Sequence, residues 1–184
     1  YQGMVSNIDS INNNLAGVGV VSTMPEIDGV TRRIPMLTRV GKEMYPSLAL
    51  ETLRVYAEDD LYQAKIGESG VIAVRVPNYD TIYTDTYSRV WINWANEFTH
   101  YELTEELDYS VFADKIVIVG LTAEGLASSV ATGVGTVGNH ELQAHLLQSI
   151  IDGVTPVRPD FADFGELITT FLIGFTIIVL FRFI

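Results

Sequence analysis

The stretch IDGVTRRIPMLTRVGKEMYPSLALETLRVY, residues 27–56, decides the fold class. Asp28–Gly29 is a turn pair, and VTRRIPMLTRV (30–40) after it is an apolar, β-branched run of strand character. Gly41 and Lys42 mark the next turn. Tyr45–Pro46 then opens a helix, with Pro46 near the first helical position, where a missing N–H costs nothing. Leu48, Ala49, Thr52, Leu53 and Tyr56 recur at helical spacing and give that helix a core-facing stripe. Strand, turn and amphipathic helix in one short stretch place the chain in the α/β class.

Working outward, GVGVVST (17–23) reads as a short strand, and VIAVRV (71–76) as another, ended by Pro77–Asn78. TIYTDTYSRVWINWA (81–95) alternates as a hairpin turning near Thr86–Ser88, with Val90, Ile92 and Trp94 on one face. Residues 97–108 are acidic and read as a solvated, partly irregular surface. DKIVIVG (114–120) has no polar alternation, the pattern of a strand buried on both faces. After a small-residue loop, Asn139 caps a second helix, HELQAHLLQSIID, which Gly153 stops. Leu142, Leu146, Leu147, Ile150 and Ile151 form its buried face. The expected architecture is a mixed sheet with short hairpins and two main helices, followed by a C-terminal hydrophobic helix.

The chain has 184 residues and 23 acidic against 11 basic side chains, a formal charge of -12, yet a mean hydropathy of +0.24. The two properties occupy different segments. Before Glu166 lie 22 of the acids and 10 of the bases. After it, LITTFLIGFTIIVLF (167–181) runs fifteen residues without a charge, up to Arg182. A helix of that length rises about 22 Å, short of the roughly 30 Å hydrocarbon core. It reads as the start of a transmembrane helix cut at a boundary, with Leu167, Leu172, Phe175, Ile178 and Phe181 among its apolar residues. The competing reading buries the same helix between subunits of an assembly, since it is apolar around its whole circumference. The division is then 1–160, a globular α/β part, and 161–184, the hydrophobic helix. The acidic part, with only Lys42, Lys65 and Lys115 as lysines, fits a periplasmic or extracellular location, and Arg182 a cytoplasmic far side. The start at Tyr1, without methionine, reads as trimmed. The acidity excludes nucleic-acid binding, which needs a basic face. Without cysteine there is no disulfide framework, thiolate metal site or thiol nucleophile.

The chemical motifs fail on spacing. Gly133, Gly135 and Gly138 match GxGxxG, but twelve residues separate them from the strand ending at Gly120, so a turning loop accounts for them better than a dinucleotide. His140 and His145 are five apart, which turns the second ring about 140° from the first on a helix, so they cannot share a metal. Asp80, Asp85 and the acids of 97–108 read as a solvated face rather than a cation site. Gly67–Gly70 lacks the spacing of a nucleophile elbow. Ser128 and Ser129 lack a nearby base. Arg32 and Arg33, opposite Glu26 and Asp28, form ion pairs, with an anion site as the lesser alternative. No catalytic constellation, metal site or cofactor site remains, and the chain reads as a non-enzyme.

The quoted stretch resembles the second class of CHASE domains, extracytoplasmic sensors of bacterial cyclases and kinases, with its D-G-V-x-R turn and its Y-P-S-L-A-L helix start. IYTDTYSRVWINW, FADKIVIVGLTAEGL and ELQAHLLQSIIDGVTPVRP resemble later family segments in the same order, so the resemblance runs over roughly 17–184. Two departures stand out. Gln143 occupies the place of a family histidine, with one extra residue between Gly138 and Glu141, and Gly133 replaces a proline. The resemblance also implies that the N-terminal part of the ectodomain, further spans and an output domain lie outside this chain. What it implies is a sensory domain of a membrane-bound receptor, taking an unknown small ligand or protein signal. Arg32, Arg33, His140, Glu141 and Gln143 are the ligand or partner candidates. A second chain, or another copy in a homo-oligomer, would complete the sheet at Ile116–Val119. The alternative is a structural subunit of an extracytoplasmic assembly or filament.

Overall fold

A computed structural model describes residues 3–68, 70–123, 125–158 and 161–182. After one exposed helical turn, α1 (Asp9–Asn12), the run at 30–40 makes two strands rather than one: β1 (Arg33–Pro35) and β2 (Leu37–Val40). The chain changes partners at Met36, whose N–H donates to the Ser88 carbonyl at 2.7 Å and whose carbonyl accepts from Ser47 N at 2.8 Å. Pro35, with no N–H of its own, sits at the break. β2 turns at Gly41–Lys42 into β3 (Glu43–Pro46), and Leu37 lies opposite Pro46. Pro46 therefore ends a strand instead of starting the helix. Ser47 is the true N-cap, its Oγ accepting from Leu50 N at 3.2 Å, and α2 runs Leu48–Tyr56.

Beyond α2 come β4 (Gln63–Gly67), β5 (Gly70–Arg75), β6 (Ile82–Tyr83) and β7 (Arg89–Trp91). β4, β5 and β6 form one antiparallel sheet, whereas β7 pairs with β1. The expected hairpin at 81–95 is thus a turn without a ladder between its arms. Asp85 makes the turn, its Oδ1 accepting from Tyr87 N and Arg89 N at 2.9 Å each. Val90 and Ile92 are buried and Trp94 packs against the core, as the alternation predicts. The expected strand at 17–23 is a single parallel bridge, Val20 to Ser47. There Gly19 passes so close to the Leu48 backbone that any side chain would collide with it.

Two further readings are corrected. Residues 116–120 belong to no strand, and among the described residues no backbone hydrogen bond ties them to a neighbour. Ile116 and Ile118 pack on the core while Val117 and Val119 are 48% and 78% exposed, so one face is buried, not two. The small-residue loop holds a hairpin of β8 (Ser129–Thr132) and β9 (Gly135–Gly138), turning at the Gly133–Val134 pair. The GxGxxG glycines belong to this hairpin.

α3 (Asn139–Ile151) begins after Gly138, and Asn139 is its first residue rather than its cap. The Asn139 amide instead donates to Ser128 Oγ at 2.8 Å. At the other end Gly153, at φ +67°, closes a Schellman stop, with Val154 N donating to Ser149 O at 2.9 Å and Gly153 N to Ile150 O at 3.1 Å. Leu142, Leu146, Leu147 and Ile150 face inward as expected, but Ile151 is 41% exposed. α3 lies along α2, and Leu50, Leu53, Leu142 and Leu146 are wholly enclosed with Ile34, Met36, Val74, Val76 and Val90.

The architecture is α/β, with small antiparallel sheets around this helix pair and a C-terminal apolar helix, α4 (Ala162–Phe181). Leu146→Ala should cost about 2–5 kcal/mol through the cavity it leaves. Ile151→Ala should stay within about 0.5 kcal/mol. Urea unfolding of both variants checks the pair, and similar midpoints would refute the placement of α3.

Candidate functional site

Three places in this fold bear chemistry: a charged cluster on β1, the exposed flanks of α3, and α4. In the first, Arg32 donates to Asp28 at 2.7 Å and to Glu26 at 3.3 Å, and Arg33 donates to Glu26 at 2.8 Å. These are the ion pairs that the sequence places there. Asp85 joins them from 52 residues away, accepting from Arg33 at 2.9 Å and from Arg89 at 2.9 Å. The Arg33 guanidinium also lies 5.0 Å over the Trp91 ring, and that of Arg89 5.0 Å over Tyr87. The hydrogen bond from Arg32, followed by that from the Val30 N–H, holds the Asp28 carboxyl below its usual range. Three arginines are thus matched by three carboxylates, leaving little charge with which to attract an anion. Asp85 is likewise occupied by arginines rather than disposed for a cation. Its recruitment is invisible in the local sequence, because only the β1–β7 pairing brings it in.

On α3 the candidates separate. His140 lies against Gly120 and Gly138, either of which would collide with its ring if it bore a side chain. Its Nε2 is 3.8 Å from Glu141 Oε1, and both side chains are partly exposed. Gln143 points the other way and is wholly buried. Its Oε1 accepts from Ala49 N at 3.1 Å, in the first turn of α2, and its Nε2 has no partner among the described residues. The fold therefore brings His140 and Glu141 together, whereas Gln143 is turned to the start of α2, and among the described residues no hydrogen bond or ion pair joins any of the three to Arg32 or Arg33. His145 occupies another place again, its ring 4.9 Å from that of Trp94 and 4.8 Å from that of Phe98. Burial holds its imidazole below the ordinary histidine range, against an opposing pull from Glu141. Sequence reading placed Trp94 on a core face and missed this aromatic contact, whose only signal was a histidine on a flank of α3. Among the described residues no group of three or more histidines and carboxylates could hold a metal ion.

α4 is longer than the uncharged run. It starts at Ala162 and takes in five residues before Leu167, so its 20 residues rise about 30 Å, the thickness of a hydrocarbon core. An 18-residue window within it has a mean hydropathy of 2.1, and none of that window is buried. Leu167, Leu172, Phe175, Ile178 and Phe181 are each more than half exposed. At its start Arg158 donates to Asp163 at 2.6 Å and to Glu166 at 2.8 Å, offsetting one of the two negative charges there.

The sequence matches the family model of the CHASE2 domain over residues 3–180. The chain belongs to the CHASE2 domain family. CHASE2 domains are extracytoplasmic sensor domains of signalling receptors, a sensory rather than a catalytic family. Comparison with curated proteins gave no match, and comparison with solved structures gave none. Within this CHASE2 domain the arginine cluster is a structural clasp between β1 and the 85–89 turn. Asp85→Ala should lower stability by about 1–3 kcal/mol, because it strips partners from two half-buried arginines and two turn N–H groups. Asp28→Ala, at an exposed carboxylate, should shift the melting temperature far less. Thermal unfolding followed by circular dichroism compares them, and equal shifts would refute the clasp.

Proposed function

We propose that this chain is a sensory ectodomain of a membrane-bound signalling receptor, anchored by α4, whose output is of the cyclase or kinase type. The observation that carries the reading is α4 itself, with an 18-residue window of mean hydropathy 2.1 and none of it buried against the rest of the described chain. Such a surface calls for a hydrocarbon covering, with Asp163 and Glu166 at its entry in the polar boundary. Support for the direction of signalling comes from order along the chain: α3, packed on α2 through the core, is followed directly by the connector 154–158 and then α4. A small ligand or protein signal acting outside the membrane would shift α3 against α2 and so move the connector. The acidic, lysine-poor composition supports an outside location for the globular part, and Arg182 at the far end of α4 supports a cytoplasmic side there.

A second reading, an extracytoplasmic assembly subunit with α4 buried between copies, draws on the unpaired segment 116–120. Among the described residues its backbone groups have no hydrogen-bond partner, and with the exposed Val117 and Val119 they suit a strand supplied by another copy or another chain. In the receptor reading the same edge would serve partner pairing in a homo-oligomer.

The lack of native cysteine in this sequence makes the test clean. Thr99→Cys, on the exposed acidic segment, should react with a membrane-impermeant maleimide in intact cells. Arg182→Cys should react only after permeabilisation. Labelling of both from the same side would overturn the span, and ordered polymers in electron micrographs of the purified chain would favour the assembly.

A further inference from the structure

Segment 93–98 has no secondary structure of its own and is fastened to α3 at three points. Asn93 N donates to Ser149 Oγ at 3.1 Å, and Asn96 Nδ2 donates to Asp152 Oδ2 at 3.2 Å. The third contact is at His145, one turn before Ser149 on α3, with the Trp94 ring at 56° to the imidazole and the Phe98 ring at 69°. His145 Nδ1 is buried and has no hydrogen-bond partner among the described residues. We propose that His145 is a proton-operated latch: its neutral ring holds segment 93–98 on α3, and its protonated ring lets the segment go.

The chemistry of the ring sets the direction. A neutral imidazole with its proton on Nε2 leaves only a lone pair at the buried Nδ1. Protonation puts an N–H donor there, facing no acceptor, and a charge among apolar rings. A cation gains from the face of an aromatic ring; here the rings stand at 56° and 69° to the imidazole, and what opposes the charge is the burial of Nδ1 without an acceptor. The charged groups around it are few. Glu141, one turn earlier on α3, favours the protonated ring, and it is the charge that opposes the effect of burial. Asp152 is engaged by Asn96 and Gln148, Glu97 on the covering segment is exposed to solvent, and His140 is seated against Gly120 and Gly138.

With the segment released, His145 regains the ordinary value of 6.5. The released state then binds the proton more tightly than the latched one. The latch therefore holds fully above about pH 6.5 and weakens as the pH falls below it, up to tenfold per pH unit, until the lower value of the latched ring is passed. This device belongs to the folded domain and stands whether or not α4 crosses a membrane.

The test uses the full chain in detergent micelles, titrating the His145 ring by NMR and following hydrogen-exchange protection of 93–98 between about pH 7.5 and 5. Expected are a His145 midpoint below 6.5 and a protection factor for 93–98 that falls several-fold over that range. His145→Phe, which fills the space without a titrating group, should keep the segment protected throughout. A midpoint at or above 6.5, pH-independent protection in the unmodified chain, or the same loss in His145→Phe would each overturn the latch. Should the variant not fold, the titration of the unmodified chain decides alone.

Discussion

The N–H of Ala49 finds its acceptor in a glutamine 94 residues further along the chain. A helix start leaves several N–H groups without intrahelical partners, and burying them unmet costs about 1–3 kcal/mol each. In α2 they are met by three separate segments: Leu48 by the Val20 carbonyl, Ala49 by Gln143, and Leu50 by Ser47. The buried start of α2 is therefore complete only when α3 lies in one register beside it. Against a typical total stability of about 5–15 kcal/mol, that requirement is large. The rest of the domain hangs on the helix pair. β2 and β3 hold Ser47 in place through Met36, and Ser149 on α3 holds the chain after β7 through Asn93.

An acceptor is what the Gln143 position requires. Glutamine supplies one through Oε1, and does so without placing a titrating group in the interior of the helix interface. It leaves His145, half a turn on, as the histidine of α3 that is packed in an apolar setting.

What the sequence revealed and what it hid follow from which forces are local. α2 was legible as a helix because one side of it is packed, and a packed side leaves a 3.6-residue period; of the expected stripe Ala49 and Leu53 are buried, but Tyr56 is 60% exposed and Leu50, outside that stripe, is wholly enclosed. The stop of α3 was legible because Gly153 takes a backbone angle that other residues adopt reluctantly. β4 was hidden because most of its residues are exposed and so carry no alternation. The break at Met36 was hidden because it is set by Ser88 and Ser47, partners that only the folded chain supplies. The run Ile116–Val119 misled for the opposite reason: its composition matches a doubly covered strand, and in this chain only one side is covered. Of the candidate site, the pairing of Arg32 and Arg33 with nearby acids was readable from spacing, whereas Asp85 and the Trp94–His145–Phe98 contact needed the tertiary fold.

Gly153 also fixes the kind of mechanical link between the globular part and α4. Two helices in one unbroken rod would transmit rotation, because each peptide hydrogen bond resists twist. Here the rod is interrupted by a left-handed residue, and the described link 154–158 has no helical hydrogen bonds. Such a link does not continue the rigid twist of α3 into α4. In the receptor reading a change at α3 would reach the membrane helix as a pull rather than as a rotation.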